Sequence, residues 1–233
     1  MIEFKRPDGR SVAGYLSEPA SNADAPGVVV IQEWWGLNEQ IKAVADRLAR
    51  AGYRALVPDL YRGQLALDEN EAEHLMNDLD FADAASQDIC GAARFLKASG
   101  NARVGVTGFC MGGALVLLAL VNVPDIDVGV VWYGCPALEY VDASRIKAPL
   151  MGHWAIHDTV FPITLVDGLE QKLRAAAVPF EFHRYDAKHA FANETADSKH
   201  LSYLQYNPTA AATAWHRTMG FLARHLQGEP RRA

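Results

Sequence analysis

The sequence predicts an α/β fold, a three-layer sandwich in which a mostly parallel central sheet of about eight strands is flanked by helices. Short β-branched runs alternate with longer stretches of helical periodicity, as they do where crossover helices join parallel strands. One run, GVVVIQ at 27–32, is apolar at nearly every position, as expected for a strand covered on both faces. Half of the 233 residues are hydrophobic and 21% are charged, enough to bury a large core within a single α/β domain spanning residues 1–233.

Each element follows from local pattern. Met1 to Lys5 and Ser11 to Leu16, separated by Pro7-Asp8-Gly9, form a leading hairpin. After the 27–32 strand, Asn38 caps a helix whose Ile41, Val44, Ala45 and Leu48 share one face, and Gly52 ends it. Tyr53 to Pro58 is the next strand, and Asn70 to Lys97 is mainly helical. Arg103 to Thr107 and Val128 to Tyr133 are strands, with an apolar helix between them from Gly112 to Val121. Strands at Pro149 to Trp154 and Phe180 to Tyr185 enclose a helix at Val166 to Ala177. The last helix runs from Thr209 to Gln227, with Trp215, Met219, Leu222 and Leu226 along one side.

Composition removes several function classes. A net charge of −6 without a basic patch argues against nucleic acid, whose phosphates need clustered Lys and Arg. No signal-like start or membrane-length apolar run is present, so no membrane partner and a cytoplasmic location are expected. Cys90, Cys110 and Cys135 lack zinc or disulfide spacing, and reduced thiols are expected. His153 and His157 are four apart, but on an extended chain their Cα atoms stand ~13 Å apart, too far for a shared metal.

Chemistry concentrates at VGVTGFCMGG, residues 104–113. Gly108-x-Cys110-x-Gly112 between a strand and a helix has the spacing of a nucleophile elbow with Cys in the Ser position. The helix N-terminus there favours a thiolate, and the Met111 N–H is placed to donate to an oxyanion. Cys90 and Cys135 are read as buried small hydrophobes. Past later strands lie Asp158, in HDTVFP, and His189, in KHAFAN, in the order nucleophile, acid, base. Among the remaining five histidines, His74, His216 and His225 lie on polar helices, His183 lies within a strand, and His200 is a second choice of base. Asp186 is the rival acid and is read as a turn residue.

With these residues assigned, the chain resembles the dienelactone hydrolase (carboxymethylenebutenolidase) family of α/β-hydrolases. The landmarks are QEWWG at 32–36, VPDLYRG at 57–63, GFCMGG at 108–113, YG at 133–134, HDTVFP at 157–162 and HAF at 189–191. The resemblance implies that Glu33 is an active-site carboxylate able to hold the resting thiol, and that the Trp34 N–H joins that of Met111 in the oxyanion hole. Trp35, Phe109, Tyr133, Trp154 and Phe191 sit near the strand ends and either line an apolar pocket or pack in the core.

The expected chemistry is hydrolysis of a lactone or carboxylic ester through a thioester on Cys110, without cofactor or metal, in a monomer or homodimer. Two other readings stay open: a promiscuous carboxylesterase or thioesterase, and a redox-sensing or ligand-binding protein on a hydrolase scaffold. Family members acting on dienelactone hold its carboxylate with two arginines. Here Asn193 stands at one position, no Lys or Arg occurs between Gly63 and Ala93, and Arg62 is the nearby cation. The acidic stretch from Asp68 to Asp88 is read as a solvated face. These departures favour less anionic esters or lactones.

Overall fold

The computed structural model describes residues 1–20, 24–99 and 103–227. Its eight strands are β1 (Ile2–Lys5), β2 (Ser11–Ser17), β3 (Gly27–Ile31), β4 (Arg54–Pro58), β5 (Val104–Phe109), β6 (Val128–Trp132), β7 (Leu150–Ala155) and β8 (Phe180–Tyr185). They form one sheet in the order β1-β2-β4-β3-β5-β6-β7-β8. β1 pairs antiparallel with β2 and β2 with β4, and every other pairing is parallel. Both the parallel sheet and the leading hairpin therefore match the sequence expectation.

The helices are α1 (Glu39–Arg50), α2 (Glu69–Asp78), α3 (Phe81–Asp83), α4 (Cys90–Ala98), α5 (Met111–Asn122), α6 (Ile163–Ala175) and α7 (Pro208–Leu222). A π-helical segment, Ala84–Ile89, joins α3 to α4, and a second, Ala223–Gln227, prolongs α7. The Asn38 side chain accepts from the Ile41 amide at the start of α1, and Ile41, Val44, Ala45 and Leu48 are buried. Each such side chain contributes roughly 1.5–3 kcal/mol on leaving water.

The two faces of β3 separate the core into halves. Val28 and Val30 pack with residues of α1 and α7, while Val29 and Ile31 pack with residues of α4, α5 and α6. Alternation along a strand sends neighbouring side chains to opposite faces, and both faces here are apolar. α5 is buried all round from Met111 to Val121, which a helix tolerates only when it is enclosed by protein. Its N-terminus starts directly after β5, at the carboxyl edge of the sheet. None of the described helices is long and apolar enough to cross a membrane.

One sequence expectation is corrected at this level. The acidic stretch is not wholly a solvated face, because Asp88, in the first π-helical segment, is only 1% exposed. Its carboxylate accepts from Arg6 at 3.1 Å and from Arg62 at 2.8 Å, and Arg6 also bonds Asp83 and Asp8. A buried carboxylate needs such partners, and helical periodicity alone does not say which acid in a charged run has them.

Candidate active site

Strand order brings distant loops together. The residues that follow the carboxyl ends of β3, β5, β6, β7 and β8 include Glu33, Cys110, Tyr133, Asp158 and His189, and those five strands are consecutive in the sheet. Open α/β sheets bind ligands at this edge.

Cys110 turns the chain from β5 into α5 with φ 54° and ψ −118°, a backbone conformation that costs a non-glycine residue about 1–3 kcal/mol. The turn is possible because its neighbours lack side chains. A Cβ on Gly108 would come within 2.3 Å of the Gly112 carbonyl oxygen, and one on Gly134 within 1.8 Å of the Cys110 carbonyl oxygen. Cys110 is 8% exposed, and its carbonyl accepts from the Gly113 and Ala114 amides. The Met111 amide opens α5 and so has no intrahelical acceptor.

His189 and Asp158 are both buried, and His189 Nδ1 lies 2.7 Å from Asp158 Oδ2. The other Asp158 oxygen accepts from the Val160 amide at 2.8 Å and from the Phe161 amide at 2.9 Å. Those bonds fix Asp158 in its loop, so the His189 Nδ1–H points at its side chain and Nε2 is left for the thiol. Burial by itself lowers the imidazole. The Cys110 charge and the Asp158 bond outweigh it and push His189 up to about 10.

Glu33 is the second carboxylate at this edge. Its Oε2 accepts from Asn193 Nδ2 at 2.6 Å and its Oε1 from the Tyr133 hydroxyl at 3.3 Å. Burial pushes Glu33 above the usual carboxylate range, against the opposing pull of His189, Asn193 and Tyr133. Asn193 cannot turn away easily, since its Oδ1 accepts from both the amide and the hydroxyl of Thr195, each at 2.8 Å. Tyr133 is itself held with φ 38° and lies edge-on to His189 and Phe191.

The family model described as "Dienelactone hydrolase family" matches residues 12–226. The chain belongs to the dienelactone hydrolase family. It is 35% identical over 239 residues to protein usf of Aquifex pyrophilus, covering 97% of this chain and 98% of that one. A candidate carboxymethylenebutenolidase of Aquifex aeolicus is 30% identical over 237 residues, covering 97% and 99%. The crystal structure of a candidate dienelactone hydrolase from Klebsiella pneumoniae superposes with a TM-score of 0.83 at 27% identity, covering 96% of this chain and 98% of that chain. As a member of the dienelactone hydrolase family, the protein is an α/β-hydrolase acting on ester or lactone bonds.

Other sequence candidates fall inside and outside the dienelactone hydrolase edge. Trp34 and Trp35 occupy the turn after β3, edge to face with each other, and the Lys199 ammonium stands 3.8 Å from the Trp35 ring centre. Phe109 stacks on Trp132, and Phe191 is buried between Tyr133 and Tyr185. Trp154, near the end of β7, packs in the core. Alternation along β7 turns it to the α6 side, against Phe182, whereas His153 turns to the α7 side and bonds Tyr185 and Thr218. Arg62 is likewise drawn off to Asp88 and to the Asp59 carbonyl.

The remaining calls find plain structural settings. His157 and Asp186 pair with each other on the surface, and His74, His200 and His216 are exposed. His183 is half-buried and stacks on His153, and His225 packs edge-on to Phe221. Cys90 and Cys135 are buried; burial raises both thiols, Cys135 to about 12. Sequence reasoning missed Thr195, Lys199 and the side chain of Tyr61. Thr195 alone had a local signal, an Asn-x-Thr step suited to a side-chain-to-backbone turn.

Proposed function

We infer that the protein hydrolyses a carboxylic ester or lactone through a thioester on Cys110, with His189 as base and acid and Asp158 as its orienting partner. The observation that carries this reading is the fixed His189–Asp158 bond at 2.7 Å, with its imidazole electrostatically paired to a cysteine on a strained elbow. His189 takes the Cys110 proton, and the thiolate sulfur bonds to the carbonyl carbon while the carbonyl π pair moves to oxygen. The Met111 and Trp34 amides donate to that oxyanion. Collapse of the intermediate expels the alkoxide, which takes the proton from His189. Water then gives a proton to His189 and attacks the thioester, releasing the acid and restoring the thiol.

Glu33 is the carboxylate that holds the resting Cys110 thiol, accepting its S–H until His189 takes the proton. Its raised affinity for protons suits that task, and each of its oxygens accepts one bond and keeps a lone pair for the thiol. Arg62 is engaged by Asp88 and Asn193 by Glu33, which favours esters and lactones without a carboxylate.

A pulse of p-nitrophenyl acetate followed by mass spectrometry tests the scheme. An acetyl mass on the peptide containing Cys110, and loss of turnover in Cys110→Ala, are expected. Full turnover in Cys110→Ala would overturn it.

A further inference from the structure

The VPDLYRG segment is tied to the turn that carries Trp34, and nothing in the scheme above uses it. Asp59 is buried and caps the segment on itself: one oxygen accepts from the Tyr61 amide at 3.2 Å and the other from the Gly63 amide at 2.6 Å. Arg62, at φ 56°, bonds the Asp59 carbonyl at 2.7 Å and the buried Asp88 at 2.8 Å. Further along, the Ala66 amide donates to the Trp35 carbonyl, and Leu65 bridges to Gly36. At the start, the Leu60 amide faces the Gln32 side chain at 3.4 Å. Three contacts, to Gln32, Trp35 and Gly36, therefore hold the Tyr61 segment against the turn after β3.

What this frame presents is a phenol with a poor partner. Tyr61 is 4% exposed, and its hydroxyl donates to the thioether sulfur of Met111 at 3.3 Å. A thioether is a weak acceptor, so a buried strong donor is left underused. Met111 is also the residue whose backbone amide begins α5 beside Cys110, and the thiolate charge of Cys110 is felt at the phenol. Burial and that charge both push Tyr61 upward, so the hydroxyl keeps its proton through the reaction.

The geometry points to Tyr61 as a side-chain hydrogen-bond donor to the oxyanion, in addition to the Met111 and Trp34 amides, and this rests on the thioester reading above. As the sulfur–carbon bond forms and negative charge gathers on the carbonyl oxygen, the Tyr61 hydroxyl exchanges the Met111 sulfur for that oxygen. The phenol gives up no proton. Its partner is poor in the resting enzyme and good in the tetrahedral intermediate, so the interaction is stronger in the transition state than in the ground state.

Tyr61→Phe, which removes only the oxygen, tests this with p-nitrophenyl acetate as substrate and butanal as an inhibitor that forms a tetrahedral thiohemiacetal on Cys110. The expected result is a fall in kcat of about ten- to a hundredfold with KM moving less than about threefold. Butanal inhibition should weaken by a factor similar to that in kcat. An unchanged kcat and butanal affinity, or a change confined to KM, would overturn the assignment. If Tyr61→Phe lowers the thermal midpoint, 3-fluorotyrosine at position 61 keeps the hydroxyl and changes its acidity. An unchanged kcat there would also overturn it. Failure of the underlying reading looks different: Cys110→Ala stays active, whereas failure of the Tyr61 role alone leaves Cys110→Ala dead and Tyr61→Phe at full rate.

Discussion

Glu33 and Asp88 are buried to nearly the same degree, 4% and 1% exposed, yet they are held in opposite ways. Asp88 is gripped by two guanidinium groups, Arg6 and Arg62, with Arg6 itself buried. Glu33 is bonded by two neutral donors, the Asn193 amide and the Tyr133 hydroxyl. Burial raises both carboxyls, but at Asp88 the opposing pull comes from fixed positive charge and at Glu33 chiefly from His189, a group that titrates. Permanent cations make Asp88 a strut, joining the leading hairpin, the Tyr61 segment and the π-helical turn. Neutral donors and a titrating neighbour leave Glu33 able to change its protonation state.

The largest expected effect comes from breaking the strut. Asp88→Ala leaves Arg6 buried without its deepest partner, and losing one member of a buried pair costs about 3–5 kcal/mol. Urea unfolding of wild type and variant measures it. A loss below about 1 kcal/mol would mean that Asp83 and Asp8 compensate fully and that Asp88 is no strut.

Glu33→Gln should show the reverse signature. The amide keeps an acceptor for Asn193 and removes a buried charge, so stability should stay within about 1 kcal/mol of wild type. Turnover should fall by about 10², the scale of a lost proton acceptor. If Glu33→Gln instead unfolds the protein while the surviving fraction keeps full rate, the two carboxylates have the same job.

A smaller effect separates the titrating side of the comparison by pH. His189 is raised to about 10 in the folded protein, so the native state holds a proton that the unfolded chain has released. Its contribution is complete below the ordinary imidazole value of about 6.5 and is lost as pH rises through about 10. Unfolding free energy measured across that window should therefore decline with pH in wild type. In His189→Gln the decline should flatten, and an equal slope in both proteins would place the extra proton elsewhere.

The same two carboxylates show what could be read from the chain alone. The strands were legible because β-branched runs repeat, and Cys110, Asp158 and His189 were legible because each closely follows a strand in an expected order. Glu33 was recognisable as an acid ending an apolar strand, but its partner Asn193 lies 160 residues away, and no local pattern joins them. Asp88 was indistinguishable from seven other acids in its stretch, since its burial depends on Arg6, 82 residues away. Trp154 was left open between pocket and core for a related reason: in a strand buried on both faces, hydrophobicity does not say which face a ring takes.

The smallest expected effect is at Arg62, where strut and site meet. Its side chain is 45% exposed, and Asp88 keeps Arg6 when it is removed, so Arg62→Met should cost only about 1 kcal/mol in urea unfolding. That modest loss sharpens the division of labour between the two arginines: the buried one carries the stability, and the half-exposed one ties the Tyr61 segment down. With the tie to the Asp59 carbonyl and Asp88 gone, Tyr61 has more freedom to leave the Met111 sulfur, and kcat on p-nitrophenyl acetate should drop by about two- to fivefold with KM unchanged. A cost equal to that of Asp88→Ala would instead make the two arginines equivalent halves of one buried pair, and the strut would extend to the solvent-facing side of the loop.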